Sequence, residues 1–470
     1  VLRRLLRRAA RHGKLLGNNK PFLYDVVDIV INESKSAYPE LEEKAEYIKR
    51  VIKIEEERFE TTIDQGLAII NEYIKQLKDE NKKVMPGAMV FKLHDTYGFP
   101  LDLTKEIAEE NDLAIDEDGF IKEMENQKNK AREALKSKEG SAWSQGNNLK
   151  LPEEFNNEFL GYGTIESDAN IAYILKDNKL TETAMEGDKV LILLDKTPFY
   201  AESGGQVGDT GYIRTKTGTV RIEDCKKTNE GYHIHVGIVE EGLIETKSPA
   251  VAAVDADRRK AIARNHTATH LLHAALRNNI GSHVTQAGSS VDDQRLRFDF
   301  THFEPVSQDV LEAIEDEINS KILGDLPVIT EEMTIDKARE KGAMALFGEK
   351  YGDVVRVVRT GDYSIELCGG THMSSTAGIG FIKILGETGI AAGTRRIEAV
   401  TGYSSLKYFK EKDALLKEAA GVLKTSPQDL IKRIEALTAE IKSSHKELEE
   451  LRNKMASNRV DDILSQTENI

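Results

Sequence analysis

Two short stretches carry residue types able to hold a metal ion. The first, Arg264-Asn265-His266-Thr267-Ala268-Thr269-His270-Leu271-Leu272-His273, sets His266 and His270 one helical turn apart, so their imidazoles share a face. The second, Leu367-Cys368-Gly369-Gly370-Thr371-His372, places a thiol and an imidazole four residues apart across a glycine pair. Three imidazoles and one thiolate match Zn2+ in ligand softness and number. Either pair alone is weak: helix histidines are more often buried and hydrogen-bonded to backbone, and a lone cysteine is most often a small core residue. Together, in a chain whose only cysteines are Cys225 and Cys368, they point to a metal site. His273 competes for a place because it follows His270 by three, but it points slightly off the His266 pair. Thr267 stands where a zinc peptidase has its glutamate, so the helix supplies no adjacent general base. Four protein ligands would close a tetrahedron, as in a structural site, whereas catalysis needs an open position; spacing leaves both readings open.

The elements that must position these residues read as α+β. Across 255–403 the pattern predicts a helix through Arg258–Arg277, strands near Leu296–Phe300, Val354–Arg359 and Ile379–Leu385, and a helix near Asp336–Leu346, without regular strand-helix alternation. Upstream, the glycine-punctuated runs Val190–Leu194, Gly211–Arg214, Thr219–Ile222 and Tyr232–Val239 suggest a small β-barrel, with Lys216-Thr217-Gly218 as a hairpin turn. His233 and His235 alternate with Ile234 and Val236 and are expected on an exposed strand face.

The first third reads as helical. Residues 1–12 form an arginine-rich helix stopped at Gly13, with Arg4, Arg8 and Arg11 on one face. A long amphipathic helix follows Pro39, carried by Leu41, Ile48, Ile52, Phe59, Ile70, Ile74 and Leu77 among others. Further helices are expected near Thr104–Asn111 and Phe120–Leu135, and the polar run Ser137–Pro152 reads as a linker. At the other end, Ser426 can cap a helix that opens with Pro427 and Asp429. Its four-three repeat, Leu430, Ile434, Leu437, Ile441, Ser444, Leu448, Leu451 and Met455, with one polar core position, predicts a coiled coil or helical hairpin arm. The expected fold is multidomain α+β, divided as a helical 1–150, a β-barrel 151–254, an α+β domain 255–403 with the zinc site, and a helical arm 404–470.

The 470 residues hold 65 Lys+Arg against 80 Asp+Glu, a net charge of −15, and no apolar stretch of about 18 residues that would span a membrane. Two cysteines cannot make a disulfide framework and fit a reducing, cytoplasmic setting. The charge is uneven: residues 1–20 contain Arg3, Arg4, Arg7, Arg8, Arg11, Lys14 and Lys20 and no acid, a footprint suited to phosphates, a membrane surface or a transit peptide, or else an ordinary solvated face. Because the first residue is Val1 rather than Met, the chain reads as cut from something longer.

Over nearly its whole length the sequence resembles the alanyl-tRNA synthetases. The resemblance is carried by Val1–Gly13, Leu93-His94-Asp95-Thr96-Tyr97-Gly98-Phe99-Pro100, Thr197-Pro198-Phe199-Tyr200-Ala201-Glu202-Ser203-Gly204-Gly205-Gln206, the two metal-ligand pairs, and Gly342-Ala343-Met344-Ala345-Leu346-Phe347-Gly348-Glu349-Lys350. It implies a helical tRNA-recognition domain, a barrel, an editing domain shared with stand-alone alanyl-tRNA deacylases and threonyl-tRNA synthetase, and the start of a helical arm. No segment looks like the class II motifs for ATP and alanine, so the resemblance is to an internal portion without the aminoacylation core or C-terminal domain, and aminoacylation is not expected.

The implied activity is hydrolysis of the ester joining serine or glycine to alanine tRNA, bound through its acceptor stem and aminoacylated 3′ end, with no membrane partner and a monomer as one option for the oligomeric state. Such editing is needed because a pocket discriminates a missing methyl group by only about 1–3 kcal/mol and rejects an added hydroxyl poorly. His266, His270, Cys368 and His372 match the family's zinc ligands, and Gln286, in Val284-Thr285-Gln286-Ala287-Gly288-Ser289, matches an editing residue near the aminoacyl group; Gln286, His266 and Cys368 form the expected catalytic set. Arg8 and Asp95 match residues that read the G·U pair of the acceptor stem, with Arg4 beside them, and Arg395 and Arg396 are placed near RNA phosphates. The competing class is a non-catalytic tRNA-binding module stapled by zinc. A metallopeptidase-like hydrolase is disfavoured by Thr267.

Overall fold

The computed structural model describes residues 2–18, 20–136, 155–177, 179–344, 352–391 and 393–466; the side chain of Arg4, the expected linker Ser137–Pro152 and the Ala345–Lys350 half of the Gly342 motif lie outside that description. The chain divides into two compact units, Val1–Asn147 and Asn148–Ile470.

The first unit contains helices α1 (Leu2–Leu15), α2 (Leu23–Ser34), α3 (Glu40–Glu43), α4 (Ala45–Asp79), α5 (Gly87–Asp95), α6 (Leu101–Glu109) and α7 (Glu117–Lys136), with a two-residue parallel pair, β1 (Val84–Met85) and β2 (Ala114–Ile115). Phe59, Ile70, Ile74 and Leu77 line one face of α4 and pack on Val90 and Leu93 of α5, Phe99, and Leu103 and Ile107 of α6. The period read from the sequence therefore faces a real core. The short helix α2 was not expected; its open N-terminus is satisfied by the buried carboxylate of Glu56, which accepts from the Phe22 and Leu23 N–H groups at 2.9 Å.

Two features of α1 differ from expectation. It runs through Gly13 to Leu15, because Gly13 lies where any Cβ would strike the Phe22 ring, so the glycine serves close packing rather than termination. Its arginines are also largely spoken for. Arg7 donates to Glu55 at 2.8 Å and lies over the Phe59 ring, while Arg11, only 4% exposed, meets Glu106 at 3.0 Å and Glu110 at 2.7 Å. The basic face is thus in good part an internal interface with α4 and α6.

The second unit opens with β3 (Glu158–Phe159), β4 (Glu166–Lys176), β5 (Lys179–Thr181), β6 (Thr183–Met185), β7 (Lys189–Leu194), β8 (Lys196–Thr197), β9 (Gly211–Thr215), β10 (Gly218–Lys227), β11 (His233–Glu245) and β12 (Pro249–Val254). Six of them pair in the order β10-β9-β12-β4-β7-β11, and β10 also pairs with β11, so these six close on themselves as a barrel, with the short β5 and β6 added on β4 and β11. Ile171, Ile192, Ile213, Val220, Ile222 and Ala252 fill it. The hairpin turn between β9 and β10 falls where expected.

His233 and His235 are buried rather than exposed, since barrel closure covers their strand face. His235 bridges the Ile192 carbonyl at 2.9 Å and the Thr197 hydroxyl at 2.7 Å, and burial pushes both imidazoles down to about 4. The folded form therefore keeps them neutral while the unfolded chain protonates them below its usual value near 6.5. Their contribution is whole above about pH 6.5 and is lost as pH falls towards 4, on the order of 3 kcal/mol for each. Denaturant unfolding followed across that window should show stability falling with acid, and His235→Gln should flatten the fall; an unchanged slope would count against this assignment.

Beyond the barrel come α8 (Ala256–Ile280), β13 (Gln286–Val291), β14 (Leu296–Thr301), α9 (Gln308–Leu323), β15 (Val328–Thr334), α10 (Ile335–Glu340), β16 (Val354–Thr360), β17 (Ser364–Leu367), β18 (Ile382–Ala391) and β19 (Thr394–Thr401). An antiparallel sheet, β13-β14-β19-β18, packs against α8 and α9 through Leu272, Leu276, Phe298, Ile314, Ile318 and Ile397, and a three-stranded sheet β15-β16-β17 carries α10. Helix α8 starts at Asp255, whose side chain accepts from the Arg258 N–H at 3.0 Å, and is buried along most of its length. Two helices close the chain, α11 (Gly402–Val422) and α12 (Leu430–Gln466), the latter entered through a short turn that Ser426 caps. The stripe Ile434, Ile441, Leu448, Leu451 and Met455 on α12 is exposed, with no partner helix upon it among the described residues.

Candidate metal centre

His266 and His270 project from the buried middle of α8, and Cys368 and His372 come from the loop that leaves β17. One ligand atom from each lies within 4.8 Å of all the others. The Cys368 Sγ is 3.3 Å from both His266 Nε2 and His372 Nε2. The second ring nitrogens are held from behind: His266 Nδ1 lies 2.7 Å from Gln206 Oε1, and His372 Nδ1 lies 3.2 Å from Thr267 Oγ1. Residue 370 must be glycine, because a Cβ there would run into the His266 ring. The loop is fixed further by Arg356, which donates to the Cys368 and Gly370 carbonyls at 2.8 Å and stacks 4.0 Å from the Tyr162 ring centre, while the Tyr162 hydroxyl donates to the Gly369 carbonyl at 2.5 Å.

The electrostatics suit a cation. Burial works against a charged Cys368, yet the neighbouring His266, His372 and His270 hold its thiol well below the usual range. Burial likewise opposes charge on His270, but Glu366 and the Cys368 thiolate raise it to about 9, whereas burial pushes His372 down to about 3. His270 Nδ1 is buried without a hydrogen-bond partner. A thiolate among three imidazoles, one with an orphaned nitrogen, is a donor set that fits Zn2+. His273 stays outside the cluster with Nδ1 3.0 Å from Glu366 Oε1, and that carboxylate reaches on to His270 Nε2 at 3.7 Å.

A cleft of about 720 Å³ opens beside His372, lined in part by Tyr162, Arg259, Lys260, Thr330 and Arg356. Gln286 is half-buried at the start of β13, opposite Phe300, and no hydrogen bond joins it to the four ligands. Arg395 is held by Glu387 through a 2.6 Å bond from Nη2, and Arg396 grips Asp299 at 2.6 and 2.8 Å, so both guanidinium groups are engaged in ion pairs within the sheet. In the first unit, Arg8 is 65% exposed and only 3.7 Å from Glu106, while Asp95 ends α5 and accepts from Gln127 Nε2 at 2.6 Å; no hydrogen bond or ion pair joins Arg8 to Asp95.

Sequence reasoning missed Gln206, Glu366 and the Arg356–Tyr162 stack. A signal existed for Glu366, a carboxylate two residues before Cys368 on the strand that leads into the ligand loop. Gln206 was in view only as the last residue of the Thr197–Gln206 motif, with nothing to tie it to His266, and no signal existed for the Arg356–Tyr162 stack; the partners of both are remote in the chain.

A family model described as tRNA synthetases class II (A) matches residues 1–258, and one described as Threonyl and Alanyl tRNA synthetase second additional domain matches residues 355–398, which include Arg356, Cys368 and His372. The Alanine--tRNA ligase of Acetivibrio thermocellus is 57% identical over 465 residues, covering 99% of this chain and 53% of that protein. Those of Clostridioides difficile and Bacillus subtilis are 50% and 48% identical, over 98% and 100% of this chain and 53% of each relative. The chain spans about half the length of these curated relatives. The expectation of a segment without the aminoacylation core is not borne out, because the class II model matches from residue 1 to residue 258. The chain belongs to the class II (A) tRNA synthetases, in the alanyl-tRNA synthetase family.

Proposed function

We propose that this chain binds alanine tRNA and hydrolyses wrongly charged seryl- or glycyl-tRNA, with Zn2+ held by His266, His270, Cys368 and His372. The observation that carries this reading is the convergence of four ligand atoms within 4.8 Å beside an open cleft. When bound, zinc would orient the terminal adenosine or polarise a water. The chain's own residues supply the rest: Lys260 and Arg356 place positive charge on the cleft wall for backbone phosphates, and the Thr330 hydroxyl offers a polar contact to the amino acid. Gln286 would act near the aminoacyl group. In functional terms the chain divides at 150, 254 and 403 into tRNA recognition, barrel, editing and arm, and a free thiol ligand suits a reducing cytoplasm.

The test is deacylation of seryl-, glycyl- and alanyl-tRNA by the whole chain, with metal analysis of the same sample. Rapid hydrolysis of the first two and sparing of the third is expected; equal rates on all three would overturn the reading. Four protein ligands also favour a second reading, a tRNA-binding module with structural zinc, which predicts one zinc per chain, tRNA binding and no hydrolysis.

For the acceptor stem, Arg8 is the cation of α1 to examine, because its single long pair with Glu106 leaves it free to meet a phosphate. Arg8→Ala should weaken tRNA binding and lower the salt-dependence slope by about one unit. An unchanged slope would remove Arg8 from the interface.

A further inference from the structure

The geometry points to Gln206, a barrel residue, as the positioning residue of the metal centre: its side-chain amide fixes the tautomer of His266 and locks the two ligand-bearing segments together. This rests on the zinc reading above. Gln206 is fully buried in a turn between β8 and β9. The turn is anchored at both ends to β13, through Val291 N–H to the Gly205 carbonyl at 2.8 Å and Val207 N–H to the Val291 carbonyl at 3.1 Å. Gly205, at φ +84°, lies so close to the Ser289 carbonyl that a Cβ would collide with it. The turn therefore has little freedom, and its amide is aimed at α8 from a rigid base.

The orientation of that amide follows from its neighbours. The Thr371 backbone N–H can only donate, and it lies 2.9 Å from Gln206 Oε1. The same oxygen faces His266 Nδ1 at 2.7 Å, so the proton must sit on Nδ1. Gln206 Nε2 then donates to Thr371 Oγ1 at 2.9 Å. With Nδ1 protonated, the His266 lone pair is on Nε2, the atom 3.3 Å from the Cys368 sulfur and facing the other ligands. One buried amide thus holds a ligand of α8 and the Gly370–His372 loop in a single register. The two pairs are about a hundred residues apart in sequence, and the link between them comes from neither.

The test uses the full chain and two near-isosteric variants, with zinc affinity read by competition against a chromophoric chelator and the cobalt-substituted absorption spectrum as a second readout. Gln206→Met leaves His266 Nδ1 and Thr371 N–H without an acceptor and should weaken zinc binding about 10- to 100-fold, the usual effect of losing an outer-shell partner. It should also alter the thiolate-to-cobalt absorption. Gln206→Glu keeps the accepting oxygen, and the Thr371 hydroxyl can turn to donate, so affinity and spectrum should return to within about threefold of the native protein on the same scale. Gln206→Met with native affinity and spectrum would overturn the proposal, as would Glu failing to rescue a chain that still melts cooperatively. A native chain that binds no zinc would instead defeat the underlying reading, a distinct outcome visible before any variant is made.

Discussion

Replacing Cys368 by alanine should remove bound zinc and reduce hydrolysis of seryl-tRNA by more than about 100-fold, beyond what losing an outer-shell partner does. Cys368 is the one anionic ligand in the set, and its sulfur lies 3.3 Å from two imidazole nitrogens. The cluster keeps it ionised against the effect of burial, and the Gly370 N–H points at it from 3.4 Å. Alanine leaves three imidazole donors and no anionic ligand on a divalent cation in a buried place, since the Glu366 carboxylate reaches the site only through His270. The fold should tolerate the change, since Cys368 begins a loop that Arg356 holds through the Cys368 and Gly370 carbonyls rather than through the sulfur. Metal content and hydrolysis are measured on the same preparation. Loss of zinc with hydrolysis at the native rate would show that the metal is a staple and that the reacting groups lie elsewhere.

The ligands themselves were legible because each pair obeys a local rule: one helical turn for His266 and His270, one tight glycine loop for Cys368 and His372. What lies behind them was not, because it depends on contacts between distant segments. Gln206 reaches His266 across 60 residues and Thr371 across 165. The arginines of α1 read as a free basic face for the same reason; Glu55 and Glu110, which meet Arg7 and Arg11, lie 48 and 99 residues further on. The strands of the barrel show their alternation plainly, yet the β10–β11 pairing that closes it has no local mark, and it is closure that turns His233 and His235 from an expected surface into buried groups. Helix α9 shows the converse, since its Leu311, Ile314, Ile318 and Ile322 follow helical spacing and were open to reading.

A contrasting result is expected where barrel and helix are joined, and there stability rather than chemistry should change. Arg259, two turns before His266 on α8, is buried against Asp209 with its Nε 2.9 Å from both carboxylate oxygens, and it donates to the Gly161 and Pro198 carbonyls at 2.8 Å. Asp209 is wholly buried and has one other partner, the Tyr200 N–H at 2.7 Å. Arg259→Met would leave that carboxylate charged and unpaired and two carbonyls unmet, at a cost of about 3–5 kcal/mol. Removing both charges, as Arg259→Met with Asp209→Leu, should cost less than the arginine change alone, because the penalty comes chiefly from the stranded charge. Denaturant midpoints of the single and double variants measure this directly. At a temperature where the single variant is still folded, its zinc content should match the native chain, since no ligand has been touched. An Arg259→Met midpoint equal to the native one would mean that α8 is held to the barrel by its apolar contacts and the Gln206 amide, and that this buried pair adds nothing to the join.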